Sequence, residues 1–190
     1  FNEAPDGSLR LSGRKKFITR ASTADCFVVV ARREGGPAGA KGLSAFLVPR
    51  SSPGISVSPH IPKLGWNGVP ISLVDFVDVP VAADHRLGPE GQGMAMAQDT
   101  LLRARIGHAA IALGRFRGAL QIATQYASHR QVFGRTVGEH QGIQWMLAQM
   151  AATLESTRCL VYATALRYDE GDPEVAAHAS IAKTQATDQC

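Results

Sequence analysis

Arg130-Gln131-Val132-Phe133-Gly134, followed seven residues later by Gln141, sets a cation, an aromatic ring and a glycine in a polar turn between two long helical patterns. Small solvated residues usually make such a connection, so these residue types point to a bound group. Thr136-Val137-Gly138-Glu139, directly behind the turn, has the spacing of a capping box in which Glu139 reaches back to the start of a helix. His140 and Gln141 are then expected in the first helical turn, where free amides and the positive end of the helix dipole favour phosphate or a polar heterocycle. A nucleotide satisfies both. Taken singly, Arg130 is no more than a cation complementing the C-terminus of the helix before it.

Two long helices must hold this turn. Leu102, Ile106, Ala109, Leu113, Phe116, Leu120, Ala123 and Ala127 recur at spacings of four and three, which predicts a helix of about 35 residues, roughly 50 Å long. Gly107, Ile111, Gly114 and Gly118 form a second, small-residue face. Each glycine there costs about 1 kcal/mol against alanine, so close approach of another helix is expected. A second helix is predicted over 137–169, with Ile143, Met146, Leu147, Met150 and Leu154 on one stripe. Asp172-Pro173 supplies the cap and the first-turn proline of a third.

Upstream of Val81 the period is near two. Strands are expected over 8–11, 16–18, 26–32, 43–48, 55–59 and 71–77, separated by Gly35-Gly36-Pro37, Pro53-Gly54 and Asn67-Gly68. Phe27-Val28-Val29-Val30-Ala31 is apolar without a break and is expected centrally, with both faces covered. Residues 87–93, with three glycines and one proline, read as a linker. The expected fold class is therefore segregated α+β: an antiparallel β-barrel or sandwich domain over 1–86, then long antiparallel helices of a four-helix-bundle-type domain over 94–190.

Composition narrows the function classes. With 45% hydrophobic and 19% charged residues, the chain is that of a globular protein and not of a disordered one. The net charge of +4 is spread out: positions 1–93 carry 11 basic and 8 acidic residues, and positions 94–190 carry 9 and 8. Arg14-Lys15-Lys16, the one short basic cluster, reads as a solvated hairpin rim and gives no case for nucleic-acid binding. No apolar run approaches the roughly 20 residues of a membrane span. Cys26, Cys159 and Cys190 have no metal or disulfide spacing and read as reduced thiols, buried or incidental, in a cytosol-like compartment. Phe1-Asn2-Glu3 has neither an initiator methionine nor a signal-peptide profile, so the chain is expected to begin inside a longer protein.

The order of β segment, glycine linker and paired long helices joined by Arg-x-x-Phe-Gly resembles the acyl-CoA dehydrogenases over the whole chain. Leu11-Ser12-Gly13-Arg14-Lys15-Lys16-Phe17-Ile18-Thr19 is similar to that family's G-x-K-x-W-I-T strand. Asp78-Val79-Pro80-Val81 with Leu87-Gly88 looks like its exit from the β-domain, and Arg130 through Ala148 resembles its R-x-x-F-G run with a following Q and L-A. The resemblance implies FAD-dependent removal of an α-proton and a β-hydride from an acyl-CoA thioester, giving a trans-2-enoyl-CoA. It places Thr19 near the flavin N5 and Phe17 against the isoalloxazine ring, with Ile18 between them. Phenylalanine there, where the family commonly has tryptophan, keeps an aromatic face and loses an indole N–H. Arg130 is placed on the pyrophosphate, where a permanently charged fork is preferred. Phe133 falls beside the adenosine and Gln141 near the adenine, with Gln131, Val132 and His140 as neighbouring contacts.

The same resemblance implies that this turn reaches the FAD of an adjacent subunit in a homo-oligomer, a dimer or tetramer, and that an electron-transferring flavoprotein is the oxidant. Abstraction of the α-proton needs a carboxylate whose pKa rises in a desolvated pocket. No residue of this chain is assigned that part. The base is expected beyond Cys190; Ala104 occupies the alternative position, just before Arg105, which becomes a candidate substrate contact. Asp99 misses that register and is expected as a solvent-facing first-turn acid. Dehydrogenase activity is accordingly not expected of these 190 residues by themselves. On the same scaffold, a flavin oxidase or monooxygenase of the nitroalkane oxidase or acyl-CoA oxidase type is the alternative chemistry. A DNA-associated alkylation-response flavoprotein is the non-catalytic alternative, and the modest charge argues against it. A bacterial cytoplasm is the expected compartment, with the mitochondrial matrix second.

Overall fold

Alternation of apolar and polar residues lays out the strands of the first half. In chain order they are Asn2–Glu3 (β1), Leu9–Thr19 (β2), Cys26–Arg32 (β3), Leu43–Pro49 (β4), Ile55–Val57 (β5), Ile71–Val81 (β6) and Arg86–Leu87 (β7). The computed structural model describes residues 1–5 and 7–189. Contacts divide it into two units, 1–98 and 99–190, each taken by itself below. In the first unit β1-β2-β6-β5 form one antiparallel sheet and β3-β4-β7 another. Leu11 of β2, Phe27 and Val29 of β3, Phe46 and Val48 of β4, and Val74 and Val79 of β6 share a single apolar core. Two open sheets around one core make a sandwich, so the barrel alternative is set aside.

The strands expected over 8–11 and 16–18 are one continuous strand. The basic run between them is mid-strand and not a hairpin rim: Arg14 forms a two-point ion pair with Asp75 of the neighbouring β6, and Lys15 Nζ donates to Val30 O at 2.9 Å. Two bulges of opposite sense punctuate the β2–β6 ladder, between Leu11 and Gly13 and between Lys15 and Ile18. The first puts an extra residue in β6, at Asp78 with φ +48°; the second puts one in β2, at Phe17 with φ +56°. Each extra residue moves the following side chains to the opposite face. Hence Ser72, Val74 and Phe76 are buried on one side of the β6 bulge and Val79 and Val81 on the other. On β2, Leu9 and Leu11 point inward before the bulge and Ile18 after it.

Phe27–Ala31 is not covered on both faces. β3 ends its sheet, Phe27 and Val29 are buried, and Val28 is 66% exposed. An all-apolar run conceals the two-residue alternation that accessibility still follows.

The helices are Gly93–His129 (α1), Gln141–Asp169 (α2) and Val175–Gln189 (α3). Along α1 the predicted seam is inward: Ala109, Leu113, Phe116 and Ala127 are buried, and Leu102, Ile106, Leu120 and Ala123 half-buried. Ala109 and Leu113 pack with Val161 of α2 and with Ala182 and Ala186 of α3. Small alanines on α3 let it approach the other two helices closely. The face of Gly107, Gly114 and Gly118 is open; a Cβ added at any of the three meets nothing within 4 Å among the described residues. Met146 likewise leaves its expected stripe and is 62% exposed. Because α1 starts at Gly93, Asp99 lies past the first turn, where it pairs with Arg103 at 3.0 Å. The Asp172 carboxylate accepts from the Glu174 amide at 2.8 Å in a turn ahead of α3, which starts at Val175, so Pro173 lies before the first helical residue and not at it. Cys26 and Cys159 are free, exposed thiols, and Cys190 lies outside the described residues.

Candidate functional site

Between α1 and α2 the chain makes a hairpin. Gln131–Val132 (β8) and Arg135–Thr136 (β9) pair antiparallel, Gln131 opposite Thr136 and Val132 opposite Arg135, around the two-residue loop Phe133-Gly134. The loop residues have φ of +53° and +80°. Positive φ at both positions is the type I′ turn, whose twist matches that of its strands. Gly134 adopts it freely, whereas a side chain such as Phe133 is disfavoured there by about 1–2 kcal/mol. The Phe133 ring is 93% exposed, so among the described residues little packing offsets that strain. A strained residue presenting an uncovered ring is the pattern of a ligand-contacting turn.

The hairpin is fixed at its base. Arg130 N donates to Tyr126 O at 3.0 Å and Val137 N to Arg130 O at 2.7 Å. Gly138 sits so near α1 that an added Cβ would be 3.1 Å from Ala127 O. Thr136, Val137, Gly138 and Glu139 form a capped 3₁₀ turn, and α2 itself begins at Gln141 with His140 as its N-cap. Glu139 Oε2 accepts from Thr136 N at 2.6 Å and from Thr136 Oγ1 at 2.9 Å. The hydroxyl bond first, then the amide bond and the charges of Arg135 and His140, hold this carboxyl below its usual range. Arg135 Nη2 meets His140 Nδ1 at 3.1 Å, and Gln144 Nε2 donates to Gly138 O at 3.0 Å. Among the described residues, the Arg130 guanidinium and the Gln131 and Gln141 side-chain amides have no partner, while Val132 is half-buried in the hairpin. A free guanidinium and two free amides beside an uncovered ring suit an anionic ligand that carries a flat ring.

In the first unit, the β2 bulge determines how Phe17-Ile18-Thr19 is displayed. Ile18 packs on the sandwich core, while Phe17 is 66% exposed and Thr19 exposed. The bulge turns an aromatic face and a hydroxyl outward together. Arg20 N donates to Pro70 O at 2.7 Å and closes the end of the strand. On α1, Ala104 O lies 2.7 Å from His108 Nδ1, and the exposed Arg105 guanidinium has no partner among the described residues.

Arg135 was missed by sequence reasoning. A signal for it existed: Arg135 directly follows the Phe133-Gly134 tip, so cations stand on both sides of the turn. Among the described residues no helix is long and apolar enough to cross a membrane, and no group of three or more His, Cys, Asp or Glu is placed to hold a metal ion.

Comparison with known proteins follows this division of the chain. Residues 2–79 match the family model described as acyl-CoA dehydrogenase, middle domain, and residues 91–190 that described as acyl-CoA dehydrogenase, C-terminal domain. The chain is 36% identical over 180 residues to the mitochondrial isobutyryl-CoA dehydrogenase of Bos taurus, an overlap of 95% of this chain and 43% of that protein. The solved structure of butyryl-CoA dehydrogenase from Megasphaera elsdenii is similar at a TM-score of 0.93 and 36% identity, across 99% of this chain and 49% of that one. An FAD complex of PigA is similar at a TM-score of 0.92 and 29% identity, across 99% and 48%. The chain thus spans about half the length of the proteins it matches.

Proposed function

Because this chain belongs to the acyl-CoA dehydrogenase family, we propose that the whole protein is an FAD-dependent enzyme that converts an acyl-CoA thioester to its trans-2-enoyl-CoA. The observation that carries this reading is the hairpin, where a strained and uncovered Phe133 stands between the unpartnered polar side chains of Arg130 and Gln141. FAD, when bound, supplies the acceptor for the β-hydride.

The residues of this chain bind and orient. Arg130 holds the pyrophosphate through its planar fork, Phe133 covers the adenosine, and Gln141 hydrogen-bonds the adenine. Gln131, Val132 and His140 complete that end of the site. Phe17 lies along the flavin face, Ile18 fixes its strand to the core, and the Thr19 hydroxyl donates at the flavin edge. Arg105 contacts the substrate. Ala104 carries no group able to take a proton, and by the family resemblance the carboxylate that takes the α-proton is expected outside this chain. The β-domain occupies 1–86 and the helical domain 94–190, joined by 87–93. The hairpin serves the FAD of an adjacent subunit in a dimer or tetramer, and an electron-transferring flavoprotein accepts the electrons. A bacterial cytoplasm suits such an enzyme.

Anaerobic mixing of the FAD-loaded whole protein with butyryl-CoA or isobutyryl-CoA, the acyl groups in the names of two relatives, is expected to bleach the flavin and yield an enoyl-CoA. Absence of bleaching across short, long and branched acyl chains overturns the proposal.

A further inference from the structure

Arg135 and His140 are joined by a contact that dictates where the imidazole keeps its proton. Arg135 Nη2 lies 3.1 Å from His140 Nδ1. A guanidinium has donors and no acceptor, so Nδ1 must offer a lone pair and the neutral ring must carry its proton on Nε2. That Nε2 is buried and, among the described residues, has no hydrogen-bond partner. Buried N–H groups are nearly always paired. The carboxylate of the same turn, Glu139, is engaged through Oε2 by Thr136 and leaves Nδ1 to Arg135.

We propose that Arg135 is a positioning residue: it fixes His140 as the Nε2–H tautomer, and this N–H donates to a phosphate oxygen or ring nitrogen of the dinucleotide held at the Phe133-Gly134 turn. The inference rests on the FAD reading above. Because Nε2 is buried, donation to the ligand requires a local rearrangement on binding. Phe133 of the turn is the aromatic neighbour of the imidazole, with ring centroids 6.5 Å apart.

The test is a double-mutant cycle on FAD affinity, measured by titrating the apo form of the whole protein. His140→Gln places an amide donor near the Nε2 position and has no tautomer to set. Arg135→Met is expected to weaken FAD about tenfold in the parent, the loss of one well-placed hydrogen bond to the ligand. In the His140→Gln background it is expected to change affinity less than about twofold, since interaction free energies vanish between uncoupled groups. An equal loss in both backgrounds means that Arg135 acts on the ligand directly, and overturns the proposal. Nitrogen-15 spectra of histidine-labelled protein give a second readout. The parent is expected to show a protonated Nε2 and a bare Nδ1 at His140, and Arg135→Met a mixture; a proton on Nδ1 in the parent also overturns it. Arg130→Ala separates the two levels. If it leaves FAD affinity unchanged, the FAD reading of the turn fails; if it weakens FAD while the cycle shows no coupling, the Arg135–His140 inference alone fails.

Discussion

Phe133 holds a backbone conformation that its side chain disfavours, and it holds it in plain view of solvent. Asparagine tolerates positive φ far better. Phe133→Asn is therefore expected to raise the stability of the apo form by about 0.5–1 kcal/mol, seen in a urea melt, and to weaken FAD several-fold. Parallel losses of stability and affinity would contradict the strain argument. Glu139 gives a pH-dependent test. Its folded pKa lies below the ordinary 4.5, so its stabilisation is complete above that value and disappears as pH falls through the folded one. Glu139→Gln is expected to lower the melting temperature at pH 7, with the difference from the parent shrinking below about pH 4.5. At this scale the sequence was partly readable. Residue types identified the turn at Arg130 to Gln141, but Phe-Gly carries none of the Asn-Gly signal of a type I′ hairpin, so its conformation and the Arg135 contact stayed hidden.

Elements were legible where a period was unbroken. The α1 seam follows directly from spacings of three and four, whereas β3 was legible as an apolar strand without its two-residue alternation. What escaped were the places where the period slips: the extra residues of the two bulges, Asp78 and Phe17, are not glycines although they take positive φ, and Gly13, at φ +148° across from the first, is the one glycine beside them. The β6 bulge is also sealed from outside. Val77 N donates to Gly54 O at 2.9 Å, and a Cβ on Gly54, at φ +88°, would stand 2.1 Å from Val77 O. Gly54→Ala combines a left-handed penalty with a backbone clash and is expected to destabilise the first unit by about 2–5 kcal/mol. Hydrogen exchange in β5 and β6 reads this directly; protection equal to the parent's would show that the strand yields without cost.

For the molecule as a whole, the open face of Gly107, Gly114 and Gly118 marks the limit of what one chain explains. Glycines at that spacing suggested a close neighbour, and spacing alone does not say which chain supplies it. If the hairpin serves an adjacent subunit's cofactor, as proposed, FAD binding and assembly are linked by mass action. The apparent FAD affinity of the whole protein is then expected to rise with protein concentration across the range in which sedimentation shows subunits associating. An affinity independent of concentration would place the site within one subunit. The paired bulges of β2 and β6 have a consequence for inherited change as well. They act as two compensating frameshifts written in backbone, one in each strand, so that the sheet reads in phase at both ends. Substitutions leave that phase intact. One residue inserted after Lys16 would not: it would swing Ile18 out to solvent and press Phe17 and Thr19 toward the core. In this strand a one-residue insertion is thus expected to abolish FAD binding where most point changes would only weaken it, and length, more than identity, is what this stretch has to preserve.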